Sequence, residues 1–316
     1  MNRQISPSPD HALDLTLPDR ELHFALLEQV CARQNLQFAR LSKGYLAAIT
    51  RKFGAADPAA PHYSNAQETP APPQPPQSLT RYIWGRDFGL NPASSAAILN
   101  DKYAIYEALT YHHIPAAECQ IIYHEGDPNS WAVGCNSLAF AEQYFRAHQS
   151  HIVLKPNYGS QGIGVRQVTS LPELAQAYRE VFARSYSASL CPFYNIQHEY
   201  RVVILDDVVR LAYMKTAHGD WRFNLHHGAL ASPIPSADYP AIIRLARQAF
   251  HALDLRFCSV DIIKTTDDQL LVMELNNGVT LTGYLKQHPE ELDRILSIYH
   301  DAVAAIFARP ITDDHH

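Results

Sequence analysis

A chain of 316 residues, 47% hydrophobic and 18% charged, can bury a substantial core and is too long for one small domain, so two or three subdomains are expected. Its 26 Lys and Arg against 32 Asp and Glu give a net charge of -6, which excludes a global attraction to nucleic acid or to an anionic membrane; any basic site must be local. The start, "MNRQISPSPDHALDLTLPD", is broken by prolines and acids, no membrane-spanning apolar run exists, and Cys31, Cys119, Cys135, Cys191 and Cys258 are scattered without C-x-x-C spacing, so a cytoplasmic protein with reduced, structural thiols is expected.

In chain order, residues 21–34 carry apolar residues at helical spacing and 36–42 read as a short strand, the beginning of an α/β unit. Residues 54–78, dominated by Pro, Ala and Gln, read as an exposed linker or loop. A strand follows in "RYIWGRD". Two helical pieces then hinge near Asn100, the second capped by Asn or Asp, stopping before Pro115 and placing Tyr103, Tyr106 and Leu109 on one face. Next come a strand at 120–124, a helix at 137–148, strands at 151–156 and 164–168, and a helix at 172–184. A hairpin over 199–217, a helix over 239–253, a second hairpin over 257–276 and a closing helix over 290–307 complete the order. The pattern predicts an α+β class with largely antiparallel central sheets. The doublets His112-His113 and His226-His227 put neighbours on different faces of any regular element, which argues against metal ligation.

Two stretches carry chemistry. In "IVLKPNYGSQGIGV", residues 152–165, Lys155 ends a β-branched run and Gly159, Gly162 and Gly164 surround Ser160 and Gln161. Bare backbone N–H groups approach anions closely and an ammonium neutralises them, which suggests phosphate binding. The spacing fits neither a P-loop nor a dinucleotide fingerprint, and it describes a hairpin lid between two strands. The plainer alternative is a glycine-rich turn with an exposed lysine.

In "CSVDIIKTTDDQLLVMELNNG", residues 258–278, two alternating strands flank a polar turn. A hairpin symmetric about the Asp267-Asp268 bond puts Asp261 opposite Glu274, with Asn276 on the same face. Two facing carboxylates in so apolar a run repel one another, and a divalent cation, Mg²⁺ or Mn²⁺ by the hardness of the oxygen donors, would remove the conflict. The alternatives are a register that turns one carboxylate to solvent, or a pairing with Lys155.

The lysine, the glycine hairpin and the E-x-N hairpin, in this order, resemble the ATP-grasp superfamily over roughly residues 92–308. The likeness is closest to the ribosomal-protein α-L-glutamate ligase group, beside glutathione synthetase-like and L-amino-acid ligase enzymes. It implies an α+β ATP-grasp fold, two α+β subdomains clamping ATP behind a small α/β N-terminal domain. The implied divisions are an N-terminal segment at 1–53, the linker at 54–78, the rest of the N-terminal domain at 79–100, and the ATP-grasp domain at 101–310 with its lid at about 115–190.

Residue by residue, "NDKYAIYEAL" resembles the family's D-K segment and makes Lys102 a phosphate contact. "VLKPNYGSQGIGV" matches the Lys strand and lid, assigning Lys155, Gly159, Ser160, Gln161, Gly162 and Gly164 to the nucleotide. "HEYRVVILDDVVRLAYMK" matches the strand pair below the adenine, with Glu199 and Lys215 as nucleotide contacts and Arg201 beside them as a catalytic candidate. "DWRFNLHHGALAS" places Arg222 and Asn224 at the γ-phosphate and the reacting carboxylate. The hairpin supplies Asp261, Glu274 and Asn276 as metal ligands. Each of Lys102, Arg201, Lys215 and Arg222 also has a structural reading, as a solvated first-turn lysine, a strand-face neutraliser of Glu199, a strand lysine and an exposed loop arginine.

The resemblance implies an ATP-dependent carboxylate-amine ligase that forms an amide through an acylphosphate, with ATP and two Mg²⁺ (or Mn²⁺) ions as cofactors. Its partners would be small-molecule or peptide carboxylates and amines, with no nucleic acid or membrane, and a homo-oligomeric state stays open. Alternatives within the same fold are a kinase acting on a hydroxyl and a non-catalytic ATP-binding regulator. Where many relatives follow E-x-N with a Ser/Ala-Pro-Gly turn, this chain continues "NGVTLTGY", so the wall nearest the second substrate differs. Pro192, near the expected adenine hinge, offers no backbone donor.

Overall fold

The computed structural model describes residues 13–41, 45–53, 78–124, 137–159, 162–219, 221–225 and 228–308. Ser160, Gln161 and nearly all of the Pro-rich stretch lie outside the described residues. Two compact units are present, Met1–Leu90 with Thr280–His316, and Asn91–Val279.

The first unit holds helix α1 (Asp19–Arg33), strands β1 (Gln37–Leu41), β2 (Leu46–Lys52) and β3 (Ser78–Trp84), and, from the far end of the chain, α7 (Thr282–Gln287) and α8 (Leu292–Phe307). Its three strands form an antiparallel meander with β2 in the centre, so β1 is followed by an antiparallel neighbour. Strand β2 has no two-residue alternation to betray it in sequence: Ala47, Ala48 and Ile49 are consecutively buried. The apolar face of α1 (Leu22, Leu26, Leu27 and Val30) is buried, and α1 packs against α8. His23 is sealed in this core, its Nδ1 2.9 Å from Tyr299 Oη. Burial first, then the charge of Arg86, pushes its pKa down to about 3.

The second unit is built on two antiparallel sheets. One has the order β4-β7-β5-β6, from β4 (Gln120–Tyr123), β7 (Ser187–Pro192), β5 (Ile152–Pro156) and β6 (Arg166–Val168). Helices α4 (Leu138–Ala147) and α5 (Leu171–Phe182) cover it, each started by a serine that accepts from the first turn, Ser137 from Phe140 N and Ser170 from Glu173 N. Glu173 reaches back to Thr169 N at 2.8 Å, which closes the cap on the other side. Leu154, Ile152, Leu190 and Ala188 meet Phe145, Leu174 and Val181 in one core. By strand alternation Lys155, Ser189 and Cys191 therefore project from the opposite face.

The other sheet has the order β10-β9-β8-β11-β12. Its strands are β8 (Ile196–Leu205), β9 (Val208–Thr216), β10 (Leu230–Ser232), β11 (Phe257–Thr265) and β12 (Leu270–Asn276). The β8–β9 turn places Asp206 and Asp207 at φ 46° and 63°, the left-handed pair that a two-residue hairpin needs. Helix α6 (Tyr239–Ala252) and helix α3 (Lys102–Tyr111) pack on one face, where Ile242, Ala246, Phe250, Ile105 and Leu109 meet Tyr200, Val202, Val260, Ile262, Val272 and Leu275. Of the three α3 residues sharing a face in the sequence pattern, only Leu109 is buried; Ile105 is its core partner. A short helix, α2 (Ala93–Ile98), precedes α3.

Candidate functional site

The hairpin β11–β12 pairs Asp261 with Glu274, as symmetry about the Asp267-Asp268 bond suggests, but the rungs nearer the turn follow a different register. Near the turn the pairs are Lys264 with Leu270, Ile263 with Leu271 and Ile262 with Val272, a register centred on Asp267 rather than on the Asp267-Asp268 bond. Continued unbroken, it would set Met273 against Asp261 and turn Glu274 with Val272 toward the helices. A bulge at Met273 inserts one residue, so the core side reads Val272, Leu275 while Glu274 and Asn276 move to the other side with Asp261. The bulge is therefore what gathers the three oxygen-bearing side chains, and Asn276 Nδ2 donates to Asp261 Oδ2 at 3.1 Å.

Asp261 is compensated within its own sheet. Arg201, opposite it on β8, grips both oxygens, Nε to Oδ1 at 2.8 Å and Nη2 to Oδ2 at 2.6 Å. Lys215 Nζ adds a contact to Asp261 Oδ1 at 3.1 Å and donates to Glu199 Oε1 across the β8–β9 rung. Burial alone would raise the pKa of Asp261, yet Arg201 and Lys215 hold it at about 2. Glu199 goes the other way: burial outweighs Lys215, and Asp261 adds repulsion, so its pKa lies above the ordinary value. Arg201 thus pairs with Asp261 first, and the charge of Glu199 acts on it as well, so its structural reading as a strand-face neutraliser extends to both acids. It also revises the electrostatic case for a metal: cations of the chain already relieve the acidic pair.

Lys102 supplies the cation for Glu274. Asp101 caps α3 by accepting from Ala104 N at 2.8 Å, which sets Lys102 in the first turn. Its Nζ donates to the carbonyl of Gly159 at 2.8 Å and of Asn157 at 3.4 Å, and lies 3.5 Å from Glu274 Oε1. With 15% of its side chain exposed, this is not a solvated lysine. One ammonium therefore joins the acidic hairpin to the start of the glycine loop.

Lys155 sits in β5 with Ser189 opposite. Burial opposes its charge, but Cys191, Cys119 and Glu274 outweigh that and raise its pKa above the ordinary value. Gly162 and Gly164 have φ 70° and 75°, and a Cβ at Gly164 would come within 3.0 Å of Pro156 Cγ, so the loop needs glycine there. Arg222 and Asn224 lie on the irregular stretch between β9 and β10, both half-buried around the buried Phe223. The preceding Trp221 approaches Phe193, in the β7–β8 connection, at 5.8 Å between ring centroids.

Two positioning residues are not singled out by the sequence pattern, although Asn157 lies inside the quoted lysine–glycine stretch. Asn157, fully buried, accepts from Tyr103 N and from Ser189 Oγ while its carbonyl holds Lys102, and so ties α3, β5 and β7 together. Asn91 accepts from the backbone N of Arg256 and Phe257 and donates to Asn277 Oδ1 at 2.6 Å, pinning the segment that replaces the usual turn after E-x-N. Neither has a spacing signal; only the fold brings its partners near.

The donor chemistry fits a hard divalent ion: Glu274 is 30% exposed in its side chain, and Asn276 keeps its carbonyl oxygen outside its bond to Asp261. Among the described residues there is no group of three or more His, Cys, Asp or Glu side chains arranged to hold a metal, so such a site would draw on the Asn276 amide. No helix among the described residues is long and apolar enough to cross a membrane.

A family model for the RimK-like ATP-grasp domain matches residues 100–297. An uncharacterized protein of Mycoplasma pneumoniae, the MG012 homolog, is 28% identical over 154 residues; the match takes in 46% of this chain, which spans about half (51%) of that relative's length. Among solved structures, the D-alanine–D-alanine ligase of Bacillus anthracis is similar with a TM-score of 0.52 and 18% identity, over 67% of this chain and 68% of the other. The D-alanyl-alanine synthetase A of Vibrio cholerae O1 biovar eltor is similar with a TM-score of 0.53 and 14% identity, over 68% and 67%. D-cycloserine synthetase DcsG is similar with a TM-score of 0.52 and 16% identity, over 69% and 73%. At these identities the likeness is one of fold.

Proposed function

The chain belongs to the RimK-like ATP-grasp family, and from that premise we propose that it is an ATP-dependent carboxylate-amine ligase, forming an amide on an amino acid or peptide through an acylphosphate. The observation that carries this reading is the Lys102 ammonium, held between Glu274 of the acidic hairpin and the Gly159 carbonyl of the lid. It brings anion-binding and cation-binding groups to one place.

Lys102 and Lys155 bind the nucleotide phosphates, exchanging their carbonyl and thiol partners for stronger anionic ones. Gly159, Gly162 and Gly164 let the lid backbone approach the phosphates and exclude water, which matters because an acylphosphate left wet is hydrolysed. Glu199 and Lys215 line the nucleotide side of the β8–β9 pair. Glu274 and Asn276 are the residues that would hold Mg²⁺ or Mn²⁺, two ions in the fullest form, while Asp261, expected from the sequence as a third ligand, has its oxygens taken by Arg201, Lys215 and Asn276 and instead fixes Asn276; the metal would supply charge neutralisation at the phosphates. Arg201 acts through Asp261 by keeping it ionised and fixed. Arg222 and Asn224 contact the transferring phosphoryl group and the oxyanion that follows, where a planar guanidinium suits a spread negative charge. The cytoplasm is the compartment this chemistry suits.

The test is an assay of ADP and phosphate release with Mg²⁺ and pairs of amino acids or short peptides. Equal amounts of ADP and free phosphate, released only when a carboxylate and an amine are both present, are expected. ADP formed while phosphate stays on the substrate would make the protein a kinase, and ATP binding without turnover would make it a regulator; either overturns the reading.

A further inference from the structure

Two thiols on the lid sheet remain outside the roles assigned so far. The β4–β7 ladder ends at Gln120 with Leu190, and continuing its antiparallel register by one residue brings Cys119 opposite Cys191. Facing residues of antiparallel strands have Cα atoms about 4.5–5.5 Å apart, inside the roughly 4.4–6.8 Å that a disulfide requires. Both cysteines are free and nearly buried, at 5% and 7% exposure. Lys155, opposite Ser189 on β5, is the diagonal neighbour of Cys191 on the same sheet face, within reach of the long lysine side chain, and the two thiols and the ammonium perturb one another.

These neighbours divide the pair. The hydrogen bond from Cys119 lowers the pKa of Cys191 to about 6 against the cost of burial, and the charges of Lys155 and Lys102 add to the effect. Cys119, as the donor to Cys191 and in a buried position, is pushed up. Cys31 and Cys258, each enclosed in a core, are also pushed up by burial, Cys31 to about 12.

We propose that Cys119 and Cys191 are a peroxide-reactive dithiol built into the nucleotide face of the lid sheet, with Cys191 attacking and Cys119 resolving, and that bound ATP protects it. The Cys191 thiolate attacks one oxygen of hydrogen peroxide; an S–O bond forms, the O–O bond breaks, and hydroxide leaves. That hydroxide takes the proton of Cys119, whose sulfur then attacks the sulfenic sulfur of Cys191. The S–S bond forms, the S–O bond breaks, and a second hydroxide leaves and is protonated by solvent. Two sulfurs lose two electrons in all, one peroxide gains them, and two waters result once the solvent proton taken by the leaving hydroxide balances the one Cys191 gave up. Protection follows from competition for Lys155: phosphates that engage the ammonium take it from the thiolate, and linkage makes the opposition mutual. This last point rests on the ATP-binding reading of Lys155.

The experiment treats the reduced full chain with hydrogen peroxide at pH 7, with and without saturating Mg-ATP. It is quenched with an alkylating agent and digested without reductant for mass spectrometry. A Cys119–Cys191 linked peptide that dithiothreitol removes is expected, formed several-fold more slowly with ATP, and Cys119→Ser should leave Cys191 as a trappable sulfenic acid. No linked peptide in the wild-type chain overturns the dithiol. A rate that ATP leaves unchanged, in protein that calorimetry shows to bind ATP, overturns the link through Lys155. Failure to bind ATP at all counts against the ligase reading instead, and the linked peptide alone then decides the dithiol.

Discussion

Asp261, buried, and Lys155, half-buried, are charges on strands of the second unit, and their surroundings treat them in opposite ways. Asp261 belongs to a closed set, with Arg201 bidentate on it and Lys215 shared between it and Glu199. Two acids and two bases cancel inside one sheet. Lys155 has a serine opposite it and a thiol as its diagonal neighbour, and Lys102 leans on two backbone carbonyls and a carboxylate 3.5 Å away. The first region is a finished scaffold. The second holds cations whose present acceptors are weaker than a phosphate would be, which is the electrostatic condition for an anion site.

If that contrast is right, mutations in the two regions must fail in different ways. Asp261→Ala removes the bidentate partner of Arg201 and leaves Glu199 as the one acid facing both Arg201 and Lys215, and is expected to cost about 3 kcal/mol of stability in urea unfolding; a loss under about 1 kcal/mol would mean the network is not a structural unit. The same carboxylate gives the wild type an acid limit. Because its folded pKa is depressed to about 2, its contribution is complete above the unfolded-state value of roughly 3.9 and is lost as pH falls between the two. Acid unfolding of Asp261→Asn, followed by circular dichroism, should lack that component.

Glu274→Ala should do the reverse, leaving the unfolding midpoint close to wild type while turnover falls by roughly 10²–10³, the scale of removing one preorganised electrostatic contact. Near-normal activity would overturn its metal role. Lys102→Met should weaken ATP binding by about 10- to 100-fold, as expected for a charged hydrogen-bond donor worth roughly 1.5–3 kcal/mol, read by calorimetry. The smallest effect belongs to the lid: Gly164→Ala forces a left-handed residue against Pro156 and should cost about 1–2 kcal/mol, seen as a few degrees in melting temperature. No change there would mean the loop relaxes freely.

The parts of this site that were legible in the sequence are those set by local chemistry. The alternation of "SVDII" and "VMELN" gave the hairpin, and the glycines around Lys155 gave the turn. The bulge at Met273 was not legible, since one extra residue leaves no mark in an apolar run; symmetry about the Asp267-Asp268 bond gives the pairing of Asp261 with Glu274, while the rungs nearer the turn are centred half a residue away, on Asp267. Partnerships across long separations were invisible for the same kind of reason. Lys102 meets Glu274 and Asn157 holds Lys102 only because two sheets converge, and α8 packs on α1 from the opposite end of the chain. Strand β2 escaped because a central strand buried on both faces has no alternation to detect.

The central claim, that Lys102, Lys155 and Glu274 together form one seat for a metal-bound triphosphate, is tested most directly by calorimetric titration of ATP into the wild type and Glu274→Ala, each with and without Mg²⁺. The account predicts that Mg²⁺ tightens ATP binding to the wild type and that Glu274→Ala loses that gain while still binding the nucleotide. ATP binding that is indifferent to Mg²⁺ in the wild type, or absent altogether, would contradict it.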